Sequence, residues 1–308
     1  MSSWSSGRIH FREKKTYVTS TQLPTNNVTN NVTNPVTNPV TNNVIINDTL
    51  PSKFIFSKKI NNNDAVICAI ALNETRYIDE WIKYNILLGF SHIYIHDNSY
   101  NNILKNKESD KVTIIHYPGI AKQLEAYNIF ILQYKKLHRW CAFIDCDEFI
   151  ILKKHDNINE LINDYNNCAS IALNWLMFGT SNEKEYRDEP VTKRFRYCSN
   201  KLDIHIKSIA KLSDIDNYIS PHFPQLKNGY NFDTNRNVII GPFNYNGDAT
   251  IAYIHHYYTK SEQEFREKIE RGCADIIQKR SLDELNDVHS KNNDIYNSDA
   301  WNFYSKHL

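Results

Sequence analysis

The sequence predicts an α/β fold with a mainly parallel central sheet, and three observations predict it. Short continuous apolar runs recur from Ala65 onward, helically spaced apolar residues alternate with them, and several runs end in a polar cluster. A strand buried on both faces reads as an uninterrupted apolar run, and strands alternating with helices build layered α/β architectures.

The run from Ala65 to Leu72 is the first predicted strand. Between Tyr77 and Leu88, Ile78, Trp81, Ile82 and Leu88 follow helical spacing, and Gly89 supplies the stop. His92–His96 and Val112–His116 read as the second and third strands, Ile120–Leu137 as a long helix and Cys141–Ile144 as the fourth strand. Asn73-Glu74, Asp97-Asn98 and Asp145-Cys146-Asp147 then fall at carboxyl ends of strands, where such sheets gather ligands. After Ala172 the pattern is irregular and punctuated by Gly179, Pro190, Pro221, Pro224, Gly229 and Gly241, which predicts long functional loops. A polar helix over Ser261–Arg271 follows, with Ser261 as N-cap and Glu264 completing a capping box.

Ahead of this domain, residues 25–44 repeat a four-residue unit five times, as TNNV or TNPV. One apolar residue per unit and two prolines give neither a helix face nor a sheet face, so residues 1–53 are expected to form a disordered or extended tail. That tail is a candidate arm for binding a partner. Residues 54–308 are expected to form a single domain, with a ligand-binding half over about 64–150 and a second side over about 170–272.

The 308 residues carry a net charge of only +1, from 36 basic and 35 acidic side chains, which argues against a nucleic-acid binder or a strongly basic membrane binder. The six cysteines lack C-x-x-C spacing and several lie in apolar runs, so reduced thiols and a cytoplasmic address are expected. No apolar stretch reaches the length of a membrane span, and the first residues lack a signal peptide's apolar segment.

The chemistry concentrates in Trp140–Ile150. Asp145 and Asp147, on an extended chain, would point the same way and converge on one divalent cation, Mn2+ or Mg2+. The first strand leads into Leu72-Asn73-Glu74-Thr75-Arg76 with no Gly-x-Gly-x-x-Gly, which disfavours a Rossmann dinucleotide site and a P-loop. A carboxylate-bound metal is the natural alternative for holding a diphosphate.

Five stretches in order carry a family resemblance: Asn73-Glu74 with Glu80-Trp81; Ile93 to Ser99; Gln123 with Ala126-Tyr127-Asn128; Phe143 to Phe149; and His256 to Ser261 with Phe265, Lys268, Arg271 and Gly272. On these the chain resembles GT-A type nucleotide-sugar glycosyltransferases, most closely glycosyltransferase family 92 with its family 2-like relatives. The resemblance implies a GT-A type (nucleotide-diphospho-sugar transferase) domain that moves a hexose, galactose favoured, from a UDP-sugar to a glycan or protein-linked acceptor, with inversion. It implies Glu74, Asp97, Gln123, Asp145 and Lys260 as nucleotide-sugar contacts, and Asp145, Asp147 and His256 as ligands of Mn2+ or Mg2+. Glu74 and Asp97 could instead cap loops, and Glu148 orient its neighbours. Lys260 could stabilise the diphosphate or simply precede the polar helix. The acceptor-side loop offers Glu183, Glu185, Asp188 and Glu189 as the base, with Asp188 preferred and Glu189 as its alternate. Trp175 and Phe178 could stack on a sugar or belong to the core. The competing reading is a catalytically inactive fold that binds a glycan or a partner.

Overall fold

The computed structural model describes residues 64–272, 283 and 291–308. The chain divides into two units, Met1–Ile55 and Phe56–Leu308, and the described residues belong to the second. The repeat tail expected over residues 1–53 lies outside the described residues.

The first half follows the predicted alternation: β1 (Ala65–Ala71), α1 (Ile78–Leu87), β2 (His92–Asp97), β3 (Val112–His116), α2 (Gln123–Tyr134) and β4 (Trp140–Phe143). These four strands are parallel in the order β3-β2-β1-β4. Gly89 has φ 103, the left-handed backbone that ends α1. Helix α2 starts later than expected because Ala121 sits at φ 53, a conformation that no right-handed helix includes.

The second half comprises β5 (Glu148–Leu152), α3 (Ile158–Asp164), β6 (Ser170–Met177), α4 (Val191–Arg194), β7 (Tyr197–Cys198), β8 (Ile206–Lys211), β9 (Ile215–Tyr218), β10 (Pro224–Leu226), β11 (Asn231–Phe232), β12 (Val238–Ile239), β13 (Ala252–His256), α5 (Glu262–Arg271), β14 (Ile295–Tyr296) and α6 (Asp299–Ser305). Strand β8 lies antiparallel between β4 and β6, while β13 runs parallel to β6 and antiparallel to β5. The ten-stranded sheet is therefore mixed, and the expectation of a mainly parallel sheet holds only in the first half. The region after Ala172 also corrects the expectation of long loops, since it adds β8 and β13 to the sheet. Buried polar residues hid β8 in the sequence: Lys207 and Ser208 interrupt its apolar pattern, yet both are almost wholly covered.

Side-chain alternation along β1 explains its unbroken apolar run. Ala65, Ile67, Ala69 and Ala71 face the cluster that includes Trp81, Tyr84 and Phe149, whereas Val66 and Cys68 face Tyr127, Phe130 and Phe143. Two aromatic donors of α1 tie the strand after the acidic motif: Trp81 Nε1 donates to the Glu148 carbonyl at 2.9 Å, and the Tyr84 hydroxyl to that of Ile150 at 2.9 Å. Cys68, Cys141, Cys146, Cys168 and Cys198 are free thiols and buried. Among the described residues, no helix is long and apolar enough to cross a membrane.

Candidate active site

Between β4 and β5 the chain turns sharply: the Glu148 N–H donates to the Asp145 carbonyl at 3.1 Å, with Cys146 and Asp147 inside the turn. Asp145 and Asp147 are thus not on an extended segment, and their side chains take different partners. This corrects the expected period-two convergence. Both carboxylates still line one cavity of about 350 Å³ at the carboxyl ends of β1 and β4.

Asp147 meets two elements far away in sequence. Pairing of β13 with β5 sets His256 opposite Glu148, which places His256 Nε2 3.5 Å from Asp147 Oδ1. From α5, Lys268 Nζ donates to Asp147 Oδ2 at 2.8 Å and to the Tyr258 carbonyl at 3.0 Å. Burial acts to raise the Asp147 carboxyl, but the Lys268 ammonium, then His256, outweigh it and hold the group well below the usual carboxylate range. Burial lowers the His256 imidazole, against the pull of Asp147, and so favours the neutral form that can ligate a metal. One helical turn beyond Lys268, Arg271 pairs with Glu74 and donates to the Asn73 carbonyl at 3.2 Å. The expected capping box fixes the start of α5, since the Ser261 hydroxyl accepts from the Glu264 N–H at 3.3 Å and Glu264 accepts from the Ser261 N–H at 3.1 Å.

Asp145 belongs to a second group. Its Oδ1 accepts from Gln123 Nε2 at 2.7 Å and its Oδ2 from Lys207 Nζ at 2.8 Å. Lys207 also stands 3.5 Å from the fully buried Glu148, whose other oxygen accepts from the Asp145 N–H at 3.0 Å. Burial drives the Glu148 carboxyl well up, with Lys207 pulling against it. Glu148 therefore orients the turn, as the sequence suggested. Burial works to lower the Lys207 ammonium, but Asp145 and then Glu148 prevail and raise it.

Asp147 and His256 together offer the oxygen and nitrogen donors that suit a divalent cation whose remaining ligands are phosphate oxygens. Asp145 lines the same cavity, with Gln123 and Lys207 on its oxygens as Lys268 and His256 are on those of Asp147. Among the described residues no three His, Cys, Asp or Glu side chains gather as a ligand set, while Asp145, Asp147 and His256, the expected trio, all line the one cavity.

Part of the cavity lining is aromatic and rich in imidazoles. Trp175 on β6 lies between His256, at 4.3 Å between ring centroids, and His205, stacked at 5.2 Å. His205 Nδ1 is 2.6 Å from Asp203 Oδ1, and His222 completes this wall. The Trp175 side of the earlier alternative is thus a cavity wall, while Phe178 is fully buried in the core.

The other sequence candidates divide. Glu74 and Gln123 line the cavity. Asp97 does not: it is fully buried, its two oxygens accepting from the N–H groups of Ser99 and Leu104 at 2.9 Å each, so it caps a loop. Lys260, at φ 57, lies outside the cavity lining with its ammonium 4.5 Å from the centre of the Tyr77 ring. The structure does not bring Asp188 or Glu189 to the cavity. Asp188 is exposed and accepts from the Tyr186 hydroxyl at 3.2 Å, and Glu189 pairs with Arg187 and Lys193 at 3.2 and 2.5 Å. Sequence reasoning gave no separate role to Lys207, Lys268, Arg271, Asp203, His205 or His222. A lysine inside an otherwise strand-like run was the signal available for Lys207.

The model of glycosyltransferase family 92 matches residues 63–292. A glycosyltransferase family 92 protein of Ricinus communis is 25% identical over 227 residues, 70% of this chain and 39% of that protein. One from Oryza sativa subsp. japonica is 24% identical over 105 residues, 32% of this chain and 18% of that protein. The chain thus spans about two fifths of the length of the Ricinus relative. Among solved structures, UDP-glucose pyrophosphorylase complexed with UDP-glucose aligns with 80% of this chain and 97% of that chain, at 13% identity and a TM-score of 0.24, too low to bear on the fold. With the family model spanning the sheet, the cavity and the residues that line it, the chain belongs to glycosyltransferase family 92.

Proposed function

We propose that the cavity binds a nucleoside-diphosphate hexose, a UDP-sugar with galactose favoured, and that the domain is a GT-A type transferase passing the hexose with inversion to a hydroxyl of a glycan or glycoprotein. The observation that carries this reading is the charge arrangement at the carboxyl ends of β1 and β4. Lys268 and Arg271 stand beside Asp147 and Glu74, with Lys207 behind Asp145. Cations held by acids at a sheet's ligand-binding edge suit a diphosphate, which a purely acidic cluster would repel.

Asp145, Asp147 and His256 are the residues that would hold Mn2+ or Mg2+. Such an ion, when bound, would act as a Lewis acid on the diphosphate oxygens. Arg271 can offer paired N–H donors to phosphate, and Lys268 a mobile point charge, as the glycosidic bond breaks and negative charge grows on the leaving group. Glu148 and Lys207 keep the turn in place while these charges are exchanged. The competing reading, a glycan-binding module without turnover, shares the cavity and differs in its chemistry.

The test is release of nucleoside diphosphate from a panel of nucleotide sugars, with manganese and then with chelator. Metal-dependent release from one UDP-sugar is expected. Nucleotide-sugar binding without release, under all metal conditions and with acceptor glycosides supplied, would favour the non-catalytic module.

A further inference from the structure

The geometry points to His205 as the base that takes the acceptor's proton, with Asp203 as the residue that positions it; this rests on the glycosyl-transfer reading above. The loop carrying Asp188 and Glu189 lies away from the cavity, so the base must be sought among the groups that line it. Glu74, Asp145 and Asp147 are each committed to a lysine or arginine. Asp203 and His205 also line the cavity, on the stretch that leads into β8.

Their geometry is that of an oriented imidazole. Asp203 Oδ1 lies 2.6 Å from His205 Nδ1 and also accepts the His205 backbone N–H at 2.9 Å, so one carboxylate oxygen holds both main chain and ring. The ring is stacked on Trp175 at an interplanar angle of 23° and meets the edge of Phe243 at 4.9 Å. With Nδ1 engaged by the carboxylate, the proton resides on Nδ1 and the lone pair on Nε2. Among the described residues Nε2 has no hydrogen-bond partner, and the side chain is 36% exposed. A carboxylate that fixes the tautomer and stabilises the imidazolium is the arrangement general-base catalysis uses elsewhere.

In the step, an acceptor hydroxyl oxygen forms a bond to the anomeric carbon while the bond from that carbon to the phosphate oxygen breaks. The hydroxyl proton passes to His205 Nε2, and the nucleoside diphosphate leaves with the electron pair. Charge balances because the imidazolium faces Asp203 and the diphosphate faces Lys268 and Arg271. The titratable and charged groups around His205 are Asp203, His222 at 5.1 Å between ring centroids, Lys207 at the start of β8, His256 beyond Trp175, and Asp145 behind Lys207.

The experiment measures UDP release from UDP-galactose between about pH 5 and 9, with p-nitrophenyl glycosides as acceptors, and UDP affinity by calorimetry in the same samples. His205→Gln is expected to lower kcat about 100-fold, remove the acidic limb of the pH profile and leave UDP affinity within about two-fold. Asp203→Asn is expected to shift the midpoint of that limb and lower kcat about 10-fold or more, which a merely structural role would not produce with UDP affinity and melting temperature retained. Wild-type release together with an unchanged kcat and pH profile in His205→Gln would overturn the assignment and leave the glycosyl-transfer reading standing. Absence of both UDP binding and release in the wild type would overturn that reading and the assignment with it.

Discussion

The two sides of the cavity are built from different materials. Around β1, the β4–β5 turn and α5, acids and cations alternate: Glu74 with Arg271, Asp147 with Lys268, and Asp145 with Lys207 from β8. Beside β6 and the start of β8, the carboxylate of Asp203 holds His205 against Trp175, with His222 next to them. On the proposed reading, the cations of the first can turn toward a polyanion. On the proposed reading, the second offers an aromatic surface and, in His205, a proton acceptor for a neutral hydroxyl. On the proposed reading, the difference separates phosphate binding from proton transfer within one pocket.

The largest expected effect breaks the charged side. Asp147→Asn should reduce UDP release by about 100-fold or more, while far-UV circular dichroism stays unchanged. Activity near the wild type, with metal present, would remove the charged side from the reaction. Lys207→Met should next lower stability by about 2–4 kcal/mol, less than for a fully buried pair because Asp145 is 32% exposed. Chemical denaturation measures this, and an unchanged midpoint would mean that Asp145 and Glu148 find other partners.

A smaller effect sharpens the comparison through pH. Burial lowers His96, on β2 behind the charged side, from 6.5 to about 4. Its folded pKa lies below its unfolded one, so its contribution is present above about pH 6.5 and is lost as pH falls toward about 4. Over that window the stability of the wild type should fall more steeply than that of His96→Gln, by up to about 1.4 kcal/mol per pH unit. Parallel curves for the two proteins would show that His96 is not held neutral. The smallest effect is expected from Asp188→Asn, which should leave UDP release within about two-fold of the wild type because the residue lies on an exposed loop away from the cavity. A large loss there would return the base to the loop after Gly179.

How much of this was legible varied along the chain. The strands β1, β2, β3 and β4 and the helix α1 were readable because buried parallel strands and amphipathic helices impose local periodicities. The capping box at Ser261 and Glu264 was readable for a similar reason, being a pattern within one turn. Strand β8 was not, since the ion pair between Lys207 and Asp145 permits a charge where an apolar residue was expected. The acidic motif was found but its geometry was misjudged: alternation holds on a strand, and Asp145 to Asp147 form a turn.

By itself, then, the sequence determined the parallel first half of the sheet, the acidic motif at its edge and the family to which the chain belongs, because each resides in contiguous residues. Tertiary structure alone decided that Asp145 and Asp147 take separate partners, that Lys268 and Arg271 face the acids, and that Asp203 and His205 join the same cavity. Those relations depend on strand register and on the placement of α5 and β8, which bring together side chains far apart in the chain. No local pattern encodes such a distance.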